Sequence, residues 1–565
     1  MTTQVEAFVL EPRIAYFSME IALRDEIPTY SGGLGVLAGD TMRTAADLEL
    51  PMVGVTLASR AGYFRQQIAD GRQIELPAPW QPEQWARRLT AKIALTIEGR
   101  EAWVGGWLYV VEGHRGGAAP VILLDTDLDE NHPDDRRITH FLYGGDEVYR
   151  LRQEMVLGIG GVRMLGALGF RIRKYHLNEG HAALLTLELL RRLAHTPDEA
   201  GTPGVHYDVP AVRQRCVFTT HTPVEAGHDQ FAYELAGRLL GDYIDPEQLR
   251  ALAGNDRLNM TRLALNLSEY VNGVARRHAE VSRHMFPGYR VHAVTNGVHP
   301  WTWACDSFRR LYDAHLPRWC HEPELLVRAD RIPDEEIREA HAAAKRALLE
   351  RIRALGGPML DSALPLLGFA RRMTDYKRAD LLFSDLARLK AIAGRHPFQI
   401  VLAGKAHPRD EGGKRLIERL HGWARELEGD VPVVFLPDYS MDLARLLVSG
   451  ADVWINTPQR PLEASGTSGM KAALNGVPNL SVLDGWWLEG CIEDVTDWAV
   501  GGESDSDNAR DAALLYDKLE QKVLPLYHRD RAAWIAIMKG AISRNAYFFN
   551  SHRMMRRYAA EAYLR

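Results

Sequence analysis

The side chains best suited to chemistry lie in three stretches. In NTPQRPLEASGTSGMKAALNGVPNLSVLDGWW (456–487), a small-residue loop from Ala464 to Gly469 leads into a helix carrying Lys471. A lysine near a helix start is commonly just solvated. Here Met470, Ala472, Ala473 and Leu474 flank it and imply that one side is buried, and a buried lysine has a depressed pKa suited to forming an imine. Glu463, Ser465 and Thr467 add hydrogen-bonding groups on the same loop. In GFARRMTDYKRADLL (368–382), Arg371, Arg372, Lys377 and Arg378 crowd a strand-to-helix turn. Cations are disfavoured in a helix's first turn unless an anion is present, and guanidinium forks grip oxyanions bidentately. In TYSGGLG, Ser31-Gly32-Gly33-Leu34-Gly35 precedes a helix, so its backbone N–H groups could receive an anion. On its own, that stretch is better explained by a tight turn that merely needs glycine.

The elements around these residues have an α/β rhythm. Short apolar runs ending in glycine, histidine or asparagine alternate with helical patterns, as in CVFTTHTP (216–223), HAVTNGVHP (292–300), LLGFARR (366–372), QIVLAGKAHP (399–408), PVVFLPDYS (432–440) and DVWINTP (452–458). Polar residues collect at strand ends, the edge at which open α/β sheets bind ligands. A charged, alanine-rich helix, IPDEEIREAHAAAKRALLERIRALGG, closes on Gly356, Gly357 and Pro358, and the domain boundary is expected there. The expected units are 1–340 and 358–535, with a last helix over about 540–565.

The chain has 565 residues, 46% hydrophobic and 25% charged, with net charge −6, which disfavours nucleic acid or an anionic membrane as partner. Four separated cysteines, Cys216, Cys305, Cys320 and Cys491, with no CxxC pair suggest neither a disulfide framework nor a zinc site. No signal peptide or long apolar span is evident, so a cytoplasmic protein is expected.

SGGLG, THTPVEAG, TNGVHPWTW, GFARRMTDYKR and EASGTSGMKAALNG, in that order, resemble the glycogen and α-glucan phosphorylases over nearly the whole chain. The resemblance implies two Rossmann-like domains facing across a cleft (the GT-B type), with the C-terminal helix crossing back to the first. It implies pyridoxal 5'-phosphate as cofactor, inorganic phosphate and an α-1,4-glucan as substrates, and glucose 1-phosphate as product with retention at the anomeric carbon. Lys471 would hold the cofactor. Thr467, Gly466, Arg371 and the Gly32-Gly33 turn would lie around its phosphate, and Tyr439 and Trp303 would wall its ring. Arg372 and Lys377 would hold substrate phosphate. His221, Asn296, Glu463, Ser465 and Gly466 would hold the glucosyl hydroxyls, with Tyr376 also on the substrate side. His221, Arg372, Lys377 and Lys471 form the implied catalytic set. Such enzymes are often dimers.

Several features cut against or qualify this reading. The chain is shorter than the regulated animal-type enzymes, so their allosteric control is expected to be absent. Ser440 stands where many members have arginine, removing a charge near the cofactor phosphate. The stretch from about 100 to 150 matches poorly before RLRQE, so substrate-gate residues cannot be assigned there. Glu179 and His181 are read as support for His221 or as helix-start capping. His221, His228 and His299 offer no compact zinc set, and no metal is expected. Trp486 and Trp487 could stack on a sugar or fill core. Two rivals share the fold: a nucleotide-sugar-dependent glycosyltransferase, which needs no cofactor lysine, and a catalytically silent glucan-binding protein.

Overall fold

Apolar runs bounded by polar turns build two large sheets in the computed structural model, which describes residues 5–11, 13–195, 206–224, 227–502 and 507–564. The first contains β1 (Arg13–Ser18), β2 (Met52–Leu57), β3 (Arg87–Arg88), β4 (Ile93–Ile97), β5 (Arg100–Glu112), β6 (Ala118–Asp125), β7 (Ile172–Asn178), β8 (Cys216–Thr219), β9 (Tyr270–Gly273) and β10 (His292–Ala293). Its order is β10-β9-β8-β7-β1-β2-β6-β5-β3, with β4 also on β5. The stretch from β10 to β6 is parallel, and β3, β4 and β5 form an antiparallel edge. The second sheet contains β11 (Leu366–Ala370), β12 (Gln399–Ala403), β13 (Val433–Leu436), β14 (Val453–Asn456), β15 (Asn479–Val482) and β16 (Trp498–Val500), all parallel, in the order β13-β12-β11-β14-β15-β16. Strands such as β2 and β11 are buried along their whole length, as helices on both faces of a parallel sheet require.

Both sheets are doubly wound. The chain enters in the middle, fills one side, then returns to the other side of its first strand. This leaves a crevice at the carboxyl ends of β1 and β7 in one sheet and of β11 and β14 in the other, where ligands bind in such folds. The loops there carry most of the residues singled out above.

Helix α1 (Gly33–Asp47) follows β1, and α2 (Asp334–Ala354) precedes the second sheet. Three acidic residues in the first turn of α2 and Arg351 and Arg353 in its last turn complement the helix dipole. Its buried stripe packs on the helix Met441–Gly450, which precedes β14 of the second sheet. There Lys345 Nζ and His341 Nε2 meet the buried Asp452 at 2.7 and 2.9 Å. Side chains on both sides of position 340 therefore share one core.

Three further contacts join the sheets. The hairpin Arg65–Ala69/Arg72–Leu76 reaches the ends of β12 and β13, where Gln66 Nε2 donates to the Gly404 carbonyl and Gln73 Nε2 to the Ala406 carbonyl, both at 2.9 Å. Thr295 Oγ1 donates to Glu489 at 2.9 Å. The Tyr30 hydroxyl accepts the Met441 N–H of α3 (Met441–Gly450) at 3.1 Å. After α4 (Ser468–Ala473) and β16, the final helix α5 (Ser551–Tyr558) lies on the first sheet: Asn272 Nδ2 donates to the Tyr558 hydroxyl at 2.9 Å and Tyr270 donates to Glu561 at 2.7 Å. Among the described residues no helix is long and apolar enough to cross a membrane.

Candidate active site

Helix α4 starts after Gly466, whose φ of +87° a residue with a Cβ adopts only under strain. One turn in, Lys471 is buried with its Nζ 3.9 Å from the centroid of the Trp303 ring. No carboxylate or carbonyl among the described residues pairs with this ammonium. Burial, the largest influence, lowers its pKa to about 8; Asp40 pulls it up and Arg43 pushes it down. Trp303 is fixed from behind, because its Nε1–H donates to Asp40 Oδ2 of α1 at 2.7 Å. Asn475, one turn after Lys471, donates to the Lys471 carbonyl at 2.9 Å and the Trp303 carbonyl at 2.8 Å and accepts the Cys305 N–H. Lysine and tryptophan are thus held together by residues from both sheets. Spacing gave no sign of Asp40, which reads as an ordinary helix residue. Asn475 is visible only as the polar residue closing the lysine helix.

The loops after β11 and β14 bring Arg371, Lys377 and Glu463 together. Glu463 accepts from Arg371 Nη2 and Lys377 Nζ, each at 2.6 Å. Burial, the largest influence, pushes its carboxyl up, but the two cations outweigh it and hold the pKa at about 2. These three were expected around the cofactor phosphate, the substrate phosphate and the sugar; here one carboxylate offsets part of the charge of the two cations. Arg371 keeps spare capacity, since its Nε and Nη1 are buried without a partner. Tyr439 lies close enough to feel the Arg371 charge. Lys377 Nζ also lies 4.4 Å from the Tyr376 ring centroid. Arg372 makes no hydrogen bond or ion pair within the described residues. Its side chain is exposed; desolvation, the largest influence, lowers its pKa, but Tyr63, Tyr376, Glu20 and Tyr143 together outweigh it and raise it.

The glycine turn lies against this group. A Cβ on Gly32 would come 3.4 Å from Arg372 Nη2, whereas one on Gly33 would meet nothing within 4 Å. The turn already holds an anion: Glu20 Oε2 accepts the Ser31 and Gly32 N–H groups at 2.5 and 3.2 Å, and Oε1 accepts the Tyr143 hydroxyl at 2.9 Å. The side near Gly33 stays open. Ser440, expected to matter through a missing charge, caps α3 by accepting the Leu443 N–H at 3.3 Å.

On the first sheet, Glu179 ends β7 with φ +76°, strained for a residue with a side chain. Its carboxylate accepts the Gly180 N–H, the His221 N–H and the Thr222 hydroxyl at 3.0, 2.8 and 2.9 Å. It therefore serves both as cap and as support for His221. The His221 Nε2 meets Asn178 Oδ1 at 2.6 Å, and burial above all, then neighbouring imidazoles, keeps this histidine neutral. His181 turns instead toward Asp229 at 3.5 Å. Asn296 Oδ1 and Ser465 Oγ are buried without partners, and Thr467, at the start of α4, makes no side-chain cap bond. His228 bonds Thr261 and His299 bonds Asp47, so His221, His228 and His299 each take a different partner. Trp486 and Trp487 are buried, with Trp486 against Phe549: they fill core.

Orphaned polar side chains and a guanidinium with unused nitrogens suit a ligand that carries both hydroxyls and a phosphate. The carbohydrate phosphorylase family profile matches residues 24–102 and 224–497. The chain is 40% identical to a maltodextrin phosphorylase of Thermococcus litoralis, over 98% of this chain and 70% of that protein. It is 37% identical to a glycogen phosphorylase of Aquifex aeolicus, over 97% and 86%, and 36% identical to one of Mycobacterium tuberculosis, over 99% and 71%. This lends no support to the nucleotide-sugar transferase reading. The chain belongs to the carbohydrate phosphorylase family.

Proposed function

We propose that this protein is an α-glucan phosphorylase that transfers the non-reducing terminal glucosyl unit of an α-1,4-glucan to inorganic phosphate, reversibly and with retention. The observation that carries the reading is the buried Lys471 amine, lowered to about 8 and lying on Trp303. A reactive amine over an aromatic wall, with two Arg371 nitrogens left unpartnered on the loop after β11, fits pyridoxal 5'-phosphate. Lys471 would hold the cofactor, Trp303 and Tyr439 its ring, and Arg371, Thr467, Gly466 and the open side of the Gly32-Gly33 turn its phosphate. When bound, the cofactor supplies a phosphate that exchanges a proton with substrate phosphate.

Arg372 and Lys377 hold the substrate phosphate, Lys377 being shared with Glu463. That phosphate gives its proton to the glycosidic oxygen as the C1–O bond breaks, and one of its oxygens then bonds C1 from the same face. Asn296, Ser465, Gly466, Glu463 and the neutral His221 orient the glucosyl hydroxyls, and Tyr376 lines the substrate side. His221 stays uncharged and so adds no cation beside the developing oxocarbenium. In this reading the two sheets face each other across a cleft, α2 goes with the second unit and α5 with the first, and four unpaired thiols favour a cytoplasmic location. Self-association as a homo-oligomer is part of the proposal.

The test joins the absorbance of the purified protein, borohydride labelling at Lys471, and release of glucose 1-phosphate from maltodextrins supplied with phosphate. Absence of the chromophore with no phosphorolysis overturns the reading.

A further inference from the structure

The turn between β5 and β6 carries His114, and a turn after the helix Asp306–His315 carries Cys320 and His321. These segments are far apart in sequence, and neither contains a ligand motif of its own. In the fold, one ligand atom from each of the three side chains lies within 4.8 Å of the others.

Both segments are held in place. A Cβ on Gly113 would come 2.7 Å from the Ala46 carbonyl carbon, and one on Gly117 2.2 Å from the Ala46 carbonyl oxygen, so the turn sits directly on the end of α1. Asp47 Oδ1 accepts the His114 N–H at 2.6 Å, and the His114 ring lies 4.0 Å from that of Trp301. On the other side, the Arg318 carbonyl accepts the His321 N–H at 2.9 Å. Cys320 is buried, and His321 Nδ1 is buried without a hydrogen-bond partner, which is costly for a ring nitrogen with nothing to bind. His114 is exposed and leaves one side open to water.

We propose that His114, Cys320 and His321 form a binding site for a thiophilic divalent cation of the Zn²⁺ class, with water in the fourth position. Two imidazoles and one thiolate match the preference of zinc for nitrogen and sulfur, and three protein ligands with an open fourth place are a recurring zinc arrangement. Bonds of about 2.0–2.3 Å put tetrahedral ligand atoms roughly 3.3–3.6 Å apart, so closure asks for about 1 Å of movement, which the exposed His114 ring can supply. As the metal–sulfur bond forms, the Cys320 thiol proton leaves to solvent; no electron transfer is involved. The ion would clip the antiparallel edge of the first sheet to the segment leading into α2. The sequence alone indicates no metal, because these ligands converge only in three dimensions. The site is independent of the phosphorylase reading.

The full chain, stripped of metal with a chelator and dialysed against Zn²⁺, is expected to hold one equivalent more than His114→Ala and Cys320→Ser. Each variant should bind Zn²⁺ at least about tenfold more weakly. Co²⁺ in place of Zn²⁺ should give a thiolate-to-cobalt band that Cys320→Ser lacks and Cys305→Ser retains. Because His114 is exposed, its variant tests the site without disturbing the core. Equal zinc content in wild type and His114→Ala, or a cobalt band that survives Cys320→Ser, overturns the proposal.

Discussion

The two strand-end crevices differ in charge. The crevice of the first sheet presents a neutral imidazole, Asn178, Asn296 and two carboxylates, Glu20 and Glu179, already filled by backbone N–H groups and hydroxyls. The second presents Arg371, Arg372, Lys377 and Lys471, of which Arg371 and Lys377 share the carboxylate of Glu463. Similar winding therefore yields one face that can orient uncharged hydroxyls and another that can hold phosphates. The contrast lies in the loops, since both sheets put their loops at the same edge.

The sharpest way to break this contrast is to remove the buried amine. Lys471→Ala should abolish both cofactor retention and phosphorolysis, read from absorbance and glucose 1-phosphate release. A variant that keeps activity without the chromophore would overturn the assignment of the second face. Next comes Glu463→Gln, which leaves Arg371 and Lys377 as poorly compensated buried cations and should cost about 3–5 kcal/mol in urea unfolding. The same pair predicts an acid limb. Its carboxyl is lowered from 4.5 to about 2, so the stabilisation is complete above about pH 4.5 and is lost as pH falls toward 2. Glu463→Gln should flatten that limb, and an unchanged limb would count against the ion pair. Arg372→Ala removes a cation that has no hydrogen-bond or ion-pair partner among the described residues and should raise the KM for phosphate roughly ten- to hundredfold, from a charge-assisted contact of about 1.5–3 kcal/mol, with the glucan KM changing less. Equal changes in both would make Arg372 structural. The smallest effect is Ser440→Ala: about 1 kcal/mol of stability from a lost cap, with phosphate KM unchanged, so a large phosphate effect would place Ser440 among the anion ligands.

Parts of this site were legible because local sequence encodes them. The lysine between small apolar residues, the basic cluster at a strand end and the glycine turn each sit within a few residues of the elements that place them. Pairings between distant loops were not. Glu463 lies 92 positions from Arg371, and no periodicity forecasts that the two cations would share it. Asp40 is 263 positions from Trp303 and looks like any helix residue. Ser440 drew attention through the charge it lacks, although a serine directly before the apolar run of α3 is also a recognisable cap signal. The winding of the sheets follows from alternating strands and helices, whereas the limit at 340 cut a helix whose buried stripe continues past it.

Glu179 occupies a backbone conformation that glycine would adopt at less cost, yet its carboxylate ties three groups of the His221 loop. Backbone strain of about 1–3 kcal/mol at this position is thus offset by bonds to a charged group worth about 1.5–3 kcal/mol each. Replacing the residue by glycine would relax the backbone and release the loop it holds. Efforts to harden this enzyme should leave that residue untouched and seek their gains elsewhere.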